Sequence, residues 1–171
     1  MTHASRDTST GLTFEAQAEF VFNNGIKINK SNFAKFFLEH FNIHVLDYLS
    51  WDFLPDDAYY IPESNSLIIY EKKTQHVSGT ADGKLTGCGW WYSEYKRVAD
   101  AAGIEHVSYI FILDEWFRSE TIGVQVRRKK FSSTGKVFIS NRERYKTTLQ
   151  YIRNTPGCDY FFWGDGEIVT K

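Results

Sequence analysis

The chain has 171 residues, 20 Lys and Arg against 21 Asp and Glu, a formal net charge of −1, and 42% apolar residues, with aromatics at 17%. With only three prolines, that apolar area offsets the chain entropy of folding and excludes disordered, collagen-like and low-complexity classes, leaving one globular domain. No apolar run approaches the roughly 20 residues that cross a bilayer, and the start is polar without an apolar signal core, so a cytoplasmic protein with no membrane contact is expected.

Residues 1–12 are polar and without periodicity, which predicts a flexible arm ahead of a single domain over 13–171. Phe14, Ala18, Val21 and Phe22 recur at helical spacing. After a turn at Asn23-Asn24-Gly25, a second helix is predicted with Ser31 as its N-cap and Phe33, Phe36, Phe37 and Phe41 along one face. The stretch 45–54 is apolar but irregular. Residues 57–61 and 67–73 are β-type runs joined by the turn composition Pro62-Glu63-Ser64-Asn65, a hairpin. Leu85, Cys88, Tyr92, Tyr95, Ala99 and Ala102 repeat at steps of three and four, predicting one long helix over 82–102 that Gly103 stops. Residues 107–113 form a continuous apolar run, the pattern of a central strand covered on both faces. A basic hairpin over 123–139 follows, then a helix carrying Tyr145, Leu149 and Ile152, a break at Asn154-Thr155-Pro156-Gly157, and an aromatic strand over 158–163. The order predicts an α/β fold, a mixed α+β sheet flanked by helices.

Charge is unevenly spread. Between Val124 and Arg153 stand nine bases (Arg127, Arg128, Lys129, Lys130, Lys136, Arg142, Arg144, Lys146 and Arg153) and one acid, Glu143. A neutral chain divided this way presents a basic face that a polyanion such as DNA would meet, although such a run also serves as a plain solvated surface. The cysteines, Cys88 and Cys158, are too few for a disulfide framework or a thiolate zinc site and read as buried thiols.

On the run 67–75, side chains at 67, 69, 71, 73 and 75 share a face, so Glu71, Lys73 and Gln75 project together after two apolar residues. That pattern places them at an open, accessible strand end. Asp56, after Pro55, begins the partner strand, and the hairpin returns its carboxylate to the side of Glu71. Two carboxylates that leave water positions open suit Mg²⁺, which polarises a phosphate and lowers the pKa of its bound water. A lysine beside them orients the attacking water and stabilises developing negative charge. Burial would lower the Lys73 pKa and the two carboxylates would raise it.

Pro55-Asp56, fourteen intervening residues and then Glu71-Lys72-Lys73 resembles the signature of the PD-(D/E)xK nuclease superfamily. The continuation through Thr74-Gln75 and Ser78-Gly79-Thr80-Ala81-Asp82-Gly83-Lys84-Leu85 is similar to a subgroup of small type II restriction endonucleases. The resemblance covers roughly residues 14–163 and implies a restriction-endonuclease-like core. It further implies Asp56, Glu71 and Lys73 as the catalytic triplet, with Asp56, Glu71, the Lys72 carbonyl and Glu15 from the first helix as Mg²⁺ ligands. Asp57 directly after Asp56 leaves two candidates for one ligand. Neighbours on a strand point to opposite sides, so only one faces the metal, and Asp56 is preferred.

Gln75 and His76 are accessory candidates beside the site. Arg127, Arg128, Lys129, Lys130, Lys136, Arg142, Arg144 and Lys146 are the expected DNA contacts, where Arg reads guanine edges and Lys holds phosphates. His40 and His44 read as a helix end, Asp82 and Lys84 as helix-entry residues, and Trp90-Trp91-Tyr92 and Trp116-Phe117 as core. The expected activity is site-specific hydrolysis of double-stranded DNA to 5′-phosphate and 3′-hydroxyl ends by a homodimer, paired with a cognate DNA methyltransferase. A DNA-repair or Holliday-junction-resolving nuclease with the same core, or a catalytically silent DNA-binding module, are the alternatives.

Overall fold

Five short segments pair into one mixed sheet in the computed structural model, which describes residues 24–50, 53–74, 81–118 and 141–163. The strands β1 (Ile26–Asn29), β2 (Asp57–Ile61), β3 (Ser66–Lys73), β4 (His106–Leu113) and β5 (Cys158–Phe162) lie side by side in chain order. The first three are antiparallel, and β3, β4 and β5 are parallel. Parallel neighbours need crossovers, which helices supply. The helices α2 (Ala81–Thr86) and α3 (Cys88–Ala101) link β3 to β4, and α4 (Asn141–Asn154) precedes β5. A fourth helix, α1 (Phe33–Phe41), lies between β1 and β2.

Side-chain alternation divides the sheet into two faces. Ile28, Ala58, Leu67, Ile69, Tyr109, Phe111 and Leu113 pack with buried residues of all four helices, among them Phe33, Phe37, Tyr95, Val98, Leu149 and Ile152. Tyr59, Ile68, Tyr70, Ile110 and Ile112 form a separate cluster on the other face. The hairpin, the doubly covered β4 and the helix with Tyr145, Leu149 and Ile152 are as expected, and both cysteines are free and buried.

Three local expectations change. Ser31 is no N-cap: it lies within a 3-10 turn over Lys30–Asn32, whose backbone bond from Phe33 N–H to the Lys30 carbonyl stands in for a side-chain cap. The long helix is interrupted at Gly87, a residue with little helical preference, so α2 and α3 are separate elements. Strand β1 was not anticipated, since in Ile26-Lys27-Ile28-Asn29 only Ile28 is buried and four residues carry almost no periodic signal. Gly103 ends α3 as expected, with φ of +70°. Gly157 also has positive φ, and a Cβ there would meet the Tyr92 ring at 2.2 Å, so its bare backbone lets α3 sit close over the start of β5.

The expected helix over Phe14–Phe22, the arm and the basic hairpin lie outside the described residues. Among the described residues, no helix is long and apolar enough to cross a membrane.

Candidate active site

The alternation of β3 sorts its polar end. Leu67 and Ile69 belong to the helix-covered core and are followed on that face by Glu71 and Lys73, whereas Ile68 and Tyr70 precede Lys72 on the other. The same parity on β2 puts Asp57 with Tyr59 and puts Asp56 with Ala58. Contacts follow parity. Lys72 Nζ is 2.6 Å from Asp57 Oδ2. Lys73 Nζ is 2.7 Å from Glu71 Oε2 and 3.3 Å from Asp56 Oδ2, and it donates to the Lys72 carbonyl at 2.8 Å. The Lys72 backbone N–H donates to Asp56 Oδ2 at 3.0 Å. Asp56 therefore shares a site with Glu71 and Lys73, and Asp57 does not.

An ammonium has three N–H donors, and here each meets an oxygen. Two carboxylates and a carbonyl around one cation form a hard oxygen set, the kind that Mg²⁺ takes. Among the described residues no group of three or more His, Cys, Asp or Glu side chains gathers as a metal cluster, so the set rests on the Lys72 carbonyl as its third member. The residues present fit a hard divalent ion. Their donor chemistry is right, and the lysine already shows that one positive charge can sit among all three.

The strand is closed over Glu71, while Lys73 and Asp56 at its end stay partly exposed. Glu71 is only 4% exposed, because β4 runs beside β3 through the Lys73–Leu113 pairing and α2 crosses nearby. From α2, Lys84 Nζ approaches Glu71 Oε2 at 3.7 Å and stands 5.7 Å from the centre of the Trp91 ring. Lys84 is thus part of the site's electrostatics, a role that its reading as a helix-entry residue missed. Burial pushes the Asp56 carboxyl upward, but Lys73, the Lys72 N–H and Lys84 outweigh it and hold the group below its ordinary 3.8. Burial likewise disfavours a charged Lys73, yet Glu71 and Asp56 prevail and raise it above 10.5. The phenols of Tyr95 and Tyr109 are driven up by burial first and by the Glu71 charge second, so both are neutral.

The segment leading to Asp56 is tied down by α3. Ser50 donates from its N–H to Glu94 Oε2 at 2.6 Å and from its hydroxyl to Oε1 at 3.2 Å, and Arg97 pairs with Glu94 and bonds Ser50 Oγ at 3.0 Å. Tyr95 donates its hydroxyl to the Phe53 carbonyl at 3.3 Å. Beyond β3, the Asp114 N–H bonds the Lys73 carbonyl at 3.2 Å, and the Asp114 carboxylate accepts from the Thr74 hydroxyl and the Trp116 N–H. Glu94 and Asp114 escaped sequence reasoning. A carboxylate beside Tyr95 on a helix that is otherwise apolar on that side was the available signal for Glu94.

Glu15, Gln75, His76, Arg127, Arg128, Lys129, Lys130 and Lys136 lie outside the described residues. Arg142 and Arg144 fall on α4, but their side chains are likewise outside them, whereas Lys146 is exposed on that helix. Arg153, at the end of α4, is 3.6 Å from Asp159 and lies over the Tyr160 ring at 4.4 Å. His40 stacks on Phe36, with Nδ1 3.1 Å from the Phe36 carbonyl, consistent with a helix end. Phe117 is core and Trp116 packs against it, but Trp90 is 43% exposed, contrary to its reading as core. The inward face of α3 carries Cys88, Tyr95, Val98 and Ala99, and position 90 lies two residues from 88 on the opposite side.

Compared with protein-family models, with curated proteins and with solved structures, the chain matches none.

Proposed function

We propose that the chain is a Mg²⁺-dependent DNA endonuclease of the PD-(D/E)xK kind, with a restriction-endonuclease-like core, that hydrolyses both strands of a specific duplex site. The observation that carries this reading is the convergence of Asp56, Glu71 and the Lys72 carbonyl on Lys73 at the carboxyl end of β3. The strand arrangement supports it: an antiparallel β1–β3 meander followed by a helical crossover into a parallel β4 is similar to the core that the sequence signature implies.

Asp56, Glu71 and the Lys72 carbonyl are the proposed cation ligands. Mg²⁺ held there would supply phosphate polarisation and a water of lowered pKa. Lys73, held protonated by its carboxylates, has its three N–H donors on Asp56, Glu71 and the Lys72 carbonyl; donors released when a cation takes those oxygens would turn to the attacking water and to the charge that grows on the phosphate oxygens. Lys84 adds a second positive charge near Glu71, and neutral Tyr95 and Tyr109 add no negative charge to repel a phosphate. Cleavage leaves a 5′-phosphate and a 3′-hydroxyl. One such centre cuts one strand per visit, so a homodimer on a two-fold site accounts for double-strand scission. The basic residues over 123–153 supply phosphate and base contacts, and a cognate DNA methyltransferase completes a restriction system.

A branch- or damage-specific nuclease with the same centre is the second reading, favoured by the exposed rings of Phe53 and Trp90, which both meet Trp91 beside Lys84. Incubating the protein with phage-length duplex DNA in Mg²⁺ and in EDTA tests both. Discrete Mg²⁺-dependent fragments are expected for site-specific cleavage, whereas cutting confined to branched DNA selects the second reading. Salt-dependent binding without any cutting overturns both and leaves a DNA-binding module.

A further inference from the structure

Across Lys84 from Glu71 stands an aromatic group, joined through Trp91, that the metal chemistry above does not use. Phe53 and Trp91 meet edge to face with centroids 5.4 Å apart, and Trp90 and Trp91 at 4.6 Å. Phe53 is 52% exposed and Trp90 43% exposed. Single exposed apolar residues are ordinary, but adjoining ones next to a reactive centre mark a binding surface. Lys84 links Trp91 to the chemistry, because one ammonium lies 3.7 Å from Glu71 Oε2 and 5.7 Å from the Trp91 ring centre. Phe53 is also three residues ahead of Asp56, with its carbonyl held by the Tyr95 hydroxyl. The aromatic group is therefore anchored to the same segment that delivers Asp56.

Resting on the nuclease reading above, we propose that Phe53, Trp90 and Trp91, with Lys84, form a nucleotide subsite that stacks a nucleobase unpaired from its complement, next to the scissile phosphate. Inside a duplex, bases stack on one another and show only their edges in the grooves, so the face of a protein ring meets a base only when that base is terminal, single-stranded or extruded. Stacking on aromatic rings is tolerant of base identity. Lys84 matches the charge of the attached phosphate, a complement that an apolar peptide would lack. The subsite makes an unpaired nucleotide at the cut, present beforehand or created by the protein, part of substrate recognition.

Binding of the full chain to two fluorescein-labelled DNAs of equal sequence, one fully paired and one with a single-stranded fork, is measured in EDTA by anisotropy. Forked DNA is expected to bind about 10-fold more tightly, with quenching of tryptophan fluorescence. Trp90→Ala and Phe53→Leu, at exposed positions, are expected to lose about that factor on forked DNA alone, and Trp90→Phe to keep most of it. Equal affinity of the native chain for the two DNAs, or variants that bind forked DNA as the native chain does, overturns the subsite. The readout is separate from catalysis. Trp90-dependent preference for forked DNA with no cutting in Mg²⁺ retains the subsite and removes the nuclease reading. Fast cutting of paired DNA with indifference to the fork does the reverse.

Discussion

Two consecutive lysines on β3 end in different chemistry although their composition is nearly the same. Lys72 goes to one face and meets Asp57 at 2.6 Å, with both side chains largely buried. Lys73 goes to the other and is shared by Asp56, Glu71 and the Lys72 carbonyl, with Lys84 behind Glu71. The first arrangement sets an ammonium against the Asp57 carboxylate. The second gathers three oxygens, two of them from carboxylates, on one point, and that convergence is what a divalent ion can use. An acid and a base in contact are thus no signature of a site; convergence of several acceptors on one point is.

The largest effect should separate the two aspartates and so test the division between faces. Glu71→Gln or Asp56→Asn should lower Mg²⁺-dependent cleavage by about 10³-fold, while Asp57→Asn should leave it within a few-fold, as read by initial rates on labelled duplex. Equal losses at Asp56 and Asp57 would break the comparison.

Stability offers a second separation. Lys73→Met leaves two carboxylates without their ammonium, and removing one partner from a buried pair costs about 3–5 kcal/mol in urea unfolding. Millimolar Mg²⁺ should restore part of this loss, because it binds the folded state through the freed oxygens. Lys72→Met should also destabilise but show no recovery with Mg²⁺. Recovery in both, or in neither, would erase the distinction.

A smaller effect lies in pH. The Asp56 pKa is lowered in the folded state, so its stabilisation is complete above 3.8 and is lost as pH falls through the folded value. The unfolding midpoint of the native chain should therefore exceed that of Asp56→Asn by a constant margin from pH 5 to 8, and the margin should shrink below pH 4. Lys73 behaves oppositely: its pKa is raised, so its contribution is complete below 10.5 and is lost as pH rises beyond that. The margin over Lys73→Met should hold through pH 9 and narrow only in stronger alkali. A margin that varied near neutral pH would show that other groups control the pair.

Much of this was legible because it depends on local periodicity. Alternation in 67–73 already placed Glu71 and Lys73 on one face, and the turn Pro62–Ser64 with Asn65 paired that strand with 57–61. Parity admitted only one of Asp56 and Asp57 to the site, and the resemblance carried by Pro55-Asp56 favoured Asp56. What stayed hidden depends on contacts distant in sequence. The burial of Glu71 needs β4 alongside and α2 nearby, and neither can be deduced from the residues around position 71. Lys84 read as an ordinary helix residue because its partner is across the crossover. Trp90 is the reverse case: the helical phase of Cys88, Tyr95 and Ala99 puts it outside the core, and the concentration of aromatics at 90–92 obscured that phase.

The claim that the Lys73 ammonium is at a metal-dependent DNA-cutting centre while the Lys72 side chain is outside it is tested most directly with supercoiled plasmid. The native chain, Lys73→Met and Lys72→Met are incubated with it in Mg²⁺ and in EDTA, after circular dichroism has verified that each is folded. The account predicts Mg²⁺-dependent nicking and linearisation by the native chain and by Lys72→Met, and none by Lys73→Met. Cleavage that survives Lys73→Met, or that persists in EDTA, would contradict it.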